Sequence, residues 1–288
     1  MSENLQAPQI NRDKQQFFFN CPCAPIEVRS SSDSVACYGK HTHEQFSLGI
    51  IESGEAEFFL SGAITIITPG SVVTINPNVV HSCNPLKSSW GYKMLYINSA
   101  WLLEVLMRHK SLSASDLYCS DIAHSRSNTA YKDTQLLFSE ITKGLDVSKI
   151  EYLLARIVGG LIQDSKKILP RQEFVRRSGK VQRTQDDLVM ARDYIIEHCA
   201  ESLTIAKIAE VIGLSQFHLM RSFKQRFGMT PHAFLIAQRV CRGRKLLASG
   251  MDISTVAVNA GFADQSHFHR NFKKMVAATP KHYKDGVS

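Results

Sequence analysis

The sequence predicts a two-domain α+β protein, with a β-barrel or sandwich and its flanking helices in front and an all-α domain behind. Short β-branched and aromatic runs crowd into residues 35–98, apolar residues recur at helical spacing from Gln185 onward, and the charge balance changes sign between the two regions. The 288 residues, 44% hydrophobic and 21% charged, can bury one large core or two ordinary ones.

In the front region the runs FSLGII, EAEFFL, AITII, SVVTI and YKMLYI are separated by Gly, Pro, Asn and Ser breakers, which predicts short strands. Asn98 to His109 then reads as a helix. From Asp133 to Lys167 the positions Leu136, Leu137, Ile141, Ile150, Leu153, Leu154, Ile157 and Leu161 predict two more, broken near Gly144. Their apolar stripes can serve the core or a dimer seam. No run approaches 18 apolar residues, and the opening MSENLQAPQINRDK lacks the basic start and apolar stretch of an export signal. The expectation is a cytoplasmic protein that does not enter a membrane. Seven cysteines, an odd set scattered along such a chain, are expected as free thiols.

Charge locates a partner. The formal net charge is +8, but residues 1–164 hold 13 Lys+Arg against 16 Asp+Glu, residues 165–183 hold 7 against 1, and residues 184–288 hold 14 against 9. An acidic front and a basic back are the footprint of a polyanion held at the back. Residues 165–183, with Pro170, Gly179 and few core-forming side chains, read as a basic interdomain linker. The predicted division is 1–164, the linker 165–183, and 184–288.

The back third repeats itself. Ile208-Ala209-x-x-x-Gly213-Leu214 recurs 48 residues later as Val256-Ala257-x-x-x-Gly261-Phe262. His218-Leu219-x-Arg221-x-Phe223-Lys224 recurs 49 residues later as His267-Phe268-x-Arg270-x-Phe272-Lys273, and Thr230-Pro231 as Thr279-Pro280. Each copy reads as helix, sharp turn and second helix, over about 203–227 and 252–276. Ala209 and Ala257 are small where the two helices cross. Gly213 and Gly261 allow the positive φ of a tight turn, and Ser215 and Asp264 are suited to cap the second helix. On that helix Leu219, Phe223 and Phe227, or Phe268, Phe272 and Val276, form the buried stripe.

The opposite face carries Gln216, Phe217, Met220, Arg221, Lys224 and Gln225 in the first copy. In the second it carries Gln265, Ser266, His269, Arg270, Lys273 and Lys274. Arg and Gln can make paired hydrogen bonds to guanine and adenine edges, while Lys224, Lys273 and Lys274, further along, suit phosphates. Gln225 fits a solvated face.

Residues 184–284 resemble the DNA-binding domain of the AraC/XylS family, whose signature GF-x-D-x-S-x-F-x-R-x-F-K is nearly matched by Gly261-Phe262-Ala263-Asp264-Gln265-Ser266-His267-Phe268-His269-Arg270-Asn271-Phe272-Lys273. The resemblance implies two helix-turn-helix units joined by a linking helix, here about Pro231 to Ser249, with both recognition helices on one DNA face. It makes Gln216, Phe217, Met220, Arg221, Gln265, Ser266, His269 and Arg270 the expected base or groove contacts. Two positions depart from the family: Met220 replaces a commonly polar reading residue, and Ala277 stands where a helix-ending Gly is usual.

His41-Thr42-His43, Gly54, Pro69-Gly70, Pro77-Asn78 and His81 fall at the spacing of a cupin barrel and resemble the sensor domain of the same family. The resemblance implies a cupin-like β-barrel with flanking helices. Metal cupins add a Glu four or five residues after the second His; here that window is Ser47-Leu48, so no metal or other cofactor is expected. His41, His43, Glu44, Phe46, Phe58, His81, Trp90 and Tyr92 are instead expected to line a pocket for a small effector. The implied protein is a sequence-specific transcription regulator, an activator controlled by that effector, acting as a homodimer on double-stranded promoter DNA and meeting RNA polymerase there. No nucleophile-base constellation, phosphate-cradling Gly loop or catalytic carboxylate pair is visible, so an enzyme is not expected. The alternative is a cupin metalloenzyme with a helical appendage, which leaves the duplicated HxxRxFK pattern unexplained.

Overall fold

In a computed structural model of the chain, the described residues are 16–21, 23–60, 62–109, 124–143, 146–168 and 179–287. The strands are β1 (Gln16–Asn20), β2 (Ile26–Ser34), β3 (Phe46–Ser53), β4 (Ala56–Leu60), β5 (Ala63–Ile67), β6 (Val72–Ile75), β7 (His81–Pro85), β8 (Trp90–Ile97) and β9 (His124–Ser125). They make a six-stranded sheet in the order β1-β2-β8-β3-β6-β9 and a three-stranded sheet β5-β4-β7, all antiparallel.

The cupin-like barrel is open, its strands forming two facing sheets. The outer side of β6 is occupied by β9 and that of β2 by β1, and among the described residues only an isolated His41–His81 bridge leads across to the second sheet.

Strand alternation sorts the side chains into two layers. Ile26, Val28, Leu48, Ile50, Leu95 and Ile97 face the helices α1 (Ser99–Arg108), α2 (Asn128–Lys143) and α3 (Val147–Ile168), meeting Leu102, Leu137, Ile150 and Leu154 in one buried core. Trp90, Tyr92 and Met94 face the second sheet with Ile51, Phe58 and Ile67. Each fully buried side chain of this kind contributes about 1.5–3 kcal/mol. The Asn98 side chain accepts from Trp101 N–H at 3.0 Å and so starts α1. The predicted helix break near Gly144 falls between α2 and α3.

The C-terminal unit comprises α4 (Gly179–Glu197), α5 (Ile205–Ile212), α6 (Gln216–Phe227), α7 (Pro231–Ala248), α8 (Ile253–Asn259), α9 (Gln265–Val276) and α10 (Pro280–Val287). One core gathers Leu188, Ile195, Ile208, Leu219, Phe223 and Phe234; a second gathers Val240, Leu247, Val256, Phe268, Phe272 and Tyr283. Each takes one aromatic ring from the sheets, Phe59 of β4 in the first and Phe18 of β1 in the second. Of the linker expected over 165–183, residues 169–178 lie outside the described residues, the preceding part closes α3 and the following part opens α4.

Candidate functional site

The two repeats fold into two copies of one geometry. Gly213 ends α5 at φ 74° and Gly261 follows α8 at φ 88°, so each helix pair turns through a left-handed residue. The second helices are capped as their residue types predict: Ser215 Oγ accepts from His218 N–H at 3.3 Å, and Asp264 Oδ1 from His267 N–H at 2.7 Å. Leu219 and Phe223 are buried, Phe227 is half-buried, and Phe268, Phe272 and Val276 are buried. Ala277 adopts the left-handed cap that Gly228 adopts in the first copy, at φ 54° against 77°.

With that stripe inward, the opposite face of each helix is open. Gln216, Phe217, Met220, Arg221 and Lys224 of α6 are exposed, as are Gln265, Ser266, His269, Arg270, Lys273 and Lys274 of α9. Phe217 is 76% exposed, which is unusual for so large an apolar side chain. Lys274 also borders the sheets: its carbonyl accepts from Gly39 N–H at 2.9 Å while its side chain lies along the surface.

The second candidate is a cavity between the sheets. His41, His43, His81, Trp90 and Tyr92 line it together with Arg29, Tyr38, Ile75, Cys83, Met94 and Tyr96. Glu44, Phe46 and Phe58 do not line it. Glu44 pairs with Lys245 on α7, Phe46 faces the helices on the far side of its sheet, and Phe58 packs in the core beneath. Sequence reading missed Arg29, Tyr38, Ile75, Cys83, Met94 and Tyr96. The signal for two of them was present, since Met94 and Tyr96 continue the alternation of Trp90 and Tyr92 on β8.

The three histidines are pre-set. Their Nδ1 atoms stand 2.8 Å from Gly39 O, 2.8 Å from Gln45 O and 2.9 Å from Val79 O, for His41, His43 and His81 in turn. A carbonyl only accepts, so each Nδ1 carries the proton and each Nε2 is left as an acceptor. The His43 Nε2 faces Ser47 Oγ at 3.2 Å. Burial first, then the neighbouring imidazoles and after them the nearby guanidinium charge, holds His41 and His43 well below the usual imidazole range, and burial followed by the Arg244 charge holds His81 at about 4. Burial alone raises the Cys83 thiol to about 12. Burial works against the charge of Arg29, but Tyr38, Tyr92 and Tyr96 outweigh it and keep the guanidinium firmly protonated. Arg29 bonds the Tyr38 hydroxyl, which meets that of Tyr92, and its Cζ lies 4.8 Å from the Tyr38 ring centroid. Among the described residues, no group of three or more His, Cys, Asp or Glu side chains is arranged to hold a metal ion.

The cavity reaches the helical unit through Tyr96, over whose ring Arg244 of α7 lies at 4.8 Å. Arg244 Nη2 bonds Glu27 Oε1 at 2.6 Å, and the Tyr283 hydroxyl of α10 donates to Glu27 Oε2 at 2.6 Å. Gln238 Nε2 donates to Thr42 Oγ1 at 2.8 Å, and Cys241 Sγ to the Thr42 carbonyl at 2.9 Å.

Residues 208–286 match the model of a helix-turn-helix domain, and residues 25–158 that of an AraC-like ligand binding domain. The chain is 27% identical over 249 residues to the HTH-type transcriptional regulator YbfI of Bacillus subtilis, covering 85% of this chain and 86% of that one. It is 27% identical over 245 residues to the arabinose operon regulatory protein of Escherichia coli K12, covering 83% and 77%. In fold it is similar to ToxT of Vibrio cholerae O395, with a TM-score of 0.58 at 13% identity over 95% of this chain and 97% of that one. No helix among the described residues is long and apolar enough to cross a membrane.

Proposed function

The chain belongs to the AraC/XylS family of transcription regulators, and on that premise we propose that it reads promoter DNA with α6 and α9 and answers to a small molecule held between its sheets. The observation that carries the reading is the doubled geometry: two capped recognition helices, one on each side of α7, each with its apolar stripe buried and its Arg, Gln and Lys side chains outward. Gln216, Phe217, Met220, Arg221, Gln265, Ser266, His269 and Arg270 take the base or groove contacts, and Lys224, Lys273 and Lys274 the phosphates.

The effector site is the cavity of His41, His43, His81, Trp90 and Tyr92, extended by Arg29, Tyr38, Met94 and Tyr96. Its aromatic and thioether walls suit an apolar body, and its hydroxyls, imidazoles and guanidinium suit hydrogen-bonding groups. A solved ToxT is bound to an unsaturated fatty acid, which is such a molecule. Effector occupancy biases the seam at Glu27, Arg244 and Tyr283 and so changes promoter engagement. The protein acts in the cytoplasm as a homodimeric activator that meets RNA polymerase at the promoter, and it has no enzymatic turnover of its own. The domains divide as 1–164 for sensing and dimerisation, 165–183 for the linker and 184–288 for DNA.

The test is fluorescence-anisotropy binding to promoter DNA selected from a genomic or random pool, across a salt series, for the wild type and for Arg221→Ala and Arg270→Ala. Tight, selective, salt-sensitive binding that each substitution weakens and makes less selective is expected. Binding indifferent to both sequence and substitution would overturn the reading.

A further inference from the structure

The two recognition helices are not chemically equivalent, and the difference lies at the positions that face outward. On α6 the side chains Phe217, Met220, Arg221 and Lys224 stand at i, i+3, i+4 and i+7, so they form one stripe along the helix. Phe217 is 76% exposed and Met220 36% exposed, and neither belongs to a buried cluster of the described residues. At the matching places α9 carries Ser266 and His269, both polar and exposed.

An exposed Phe beside an exposed Met on a helix capped at Ser215 is held out by the backbone, since the buried stripe of Leu219 and Phe223 fixes which face turns outward. The pair is bordered by Arg221 and Lys224, whose charges suit a polyanion, so the occupant it faces carries apolar groups within a strongly negative setting. The DNA major groove offers one such group on a base edge, the C5-methyl of thymine.

Resting on the reading of α6 as a recognition helix, we infer that Phe217 and Met220 are specificity determinants that read thymine by its methyl group. The α9 unit reads its half of the site by hydrogen bonds from Gln265, Ser266, His269 and Arg270. The operator half facing α6 therefore contains one or two thymines whose identity depends on a methyl group, and the half facing α9 contains none.

The experiment uses the full chain and an operator selected from a pool. Each thymine is replaced in turn by deoxyuridine, which keeps every hydrogen-bonding edge and lacks only the methyl. The half-site facing α6 is assigned as the bases whose identity ceases to matter in Arg221→Ala. About a fourfold loss of affinity is expected for each seated methyl, from the transfer value of one buried carbon. In the double variant Phe217→Ala, Met220→Ala the thymine and deoxyuridine operators bind alike, while Arg270→Ala retains the difference. Because both side chains are exposed, the double variant keeps the wild-type melting temperature. Equal binding of thymine and deoxyuridine operators by the wild type overturns the inference while leaving DNA binding intact, and so does an undiminished difference in the double variant. Failure to select any operator overturns the DNA-reading function itself.

Discussion

Arg244 of α7 and Glu27 of β2 form an ion pair at 2.6 Å whose side chains are only 11% and 10% exposed. The pair joins the helical unit to the sheets, and Tyr283 occupies the second oxygen of the same carboxylate. Burial opposes the guanidinium's charge, yet Glu27 and Tyr283 more than restore it, so Arg244 stays charged at any pH the protein meets. A buried charge is secure only while its partner is present.

Glu27→Gln removes that partner and strands a buried cation. The expected loss of stability is about 3 kcal/mol in urea unfolding, and Tyr283→Phe, which deletes one hydrogen bond, loses about 1 kcal/mol. Adding Arg244→Met to Glu27→Gln recovers most of the deficit, since two apolar or neutral groups replace a charge without a counter-charge. A Glu27→Gln protein as stable as the wild type would remove the pair from any account of the seam.

The cavity histidines set a pH dependence with a definite sign. Their folded-state pKa values are depressed, so the unfolded chain binds protons that the folded chain refuses. Stability is full above about pH 6.5, the ordinary imidazole value, and falls as pH drops toward 4, by up to about 3 kcal/mol for His81 alone. Urea unfolding at a series of pH values should show this decline, and His81→Gln should make it shallower. A flat profile between pH 6.5 and 4 would contradict the buried, neutral state of these rings.

Ala277 ends α9 in a conformation that side chains with a Cβ resist, at φ 54°. Ala277→Gly relieves a left-handed strain of about 1 kcal/mol, and calorimetry should show a higher melting temperature for the variant. A lower one would mean that the methyl group, which packs against the sheet cluster of Tyr38 and Trp90, contributes more than the strain costs.

The lysines assigned to phosphates have a signature distinct from that of the base readers. Alanine at Lys224, Lys273 or Lys274 should weaken binding to all sequences alike. Each should also reduce the slope of log affinity against log salt by about 0.9. A change in sequence preference at any of the three would place it on a base instead.

The helical half of this architecture is legible in the sequence because its constraints are local and repeated. Caps at Ser215 and Asp264, turns at Gly213 and Gly261 and the stripe of Leu219 and Phe223 each follow from residue type and spacing, and the second copy checks the first. The sheets are harder to read. β2 runs IEVRSSSDS, with polar residues on the cavity face and few apolar ones to mark the alternation, so the strand that bears Glu27 and Arg29 carries no strand signal. Nearness to His43 along the chain is all that points Glu44 and Phe46 toward the cavity. In a strand one step reverses the facing, and Phe46 points the other way. The seam is invisible altogether, because no periodicity links residue 27 to residues 244 and 283.

Phe18 and Phe59 lie on different sheets and end in different helical cores. Phe18 stands 5.4 Å from the ring of Tyr283 in the second unit, whereas Phe59 reaches the first unit beside Gly228, just past the end of α6. Each helix-turn-helix core thus packs against a different sheet. A ligand that changed the spacing of the two sheets would therefore bear on both cores at once, and α7, which gives Phe234 to the first and Val240 and Leu247 to the second, would carry a displacement of one to the other.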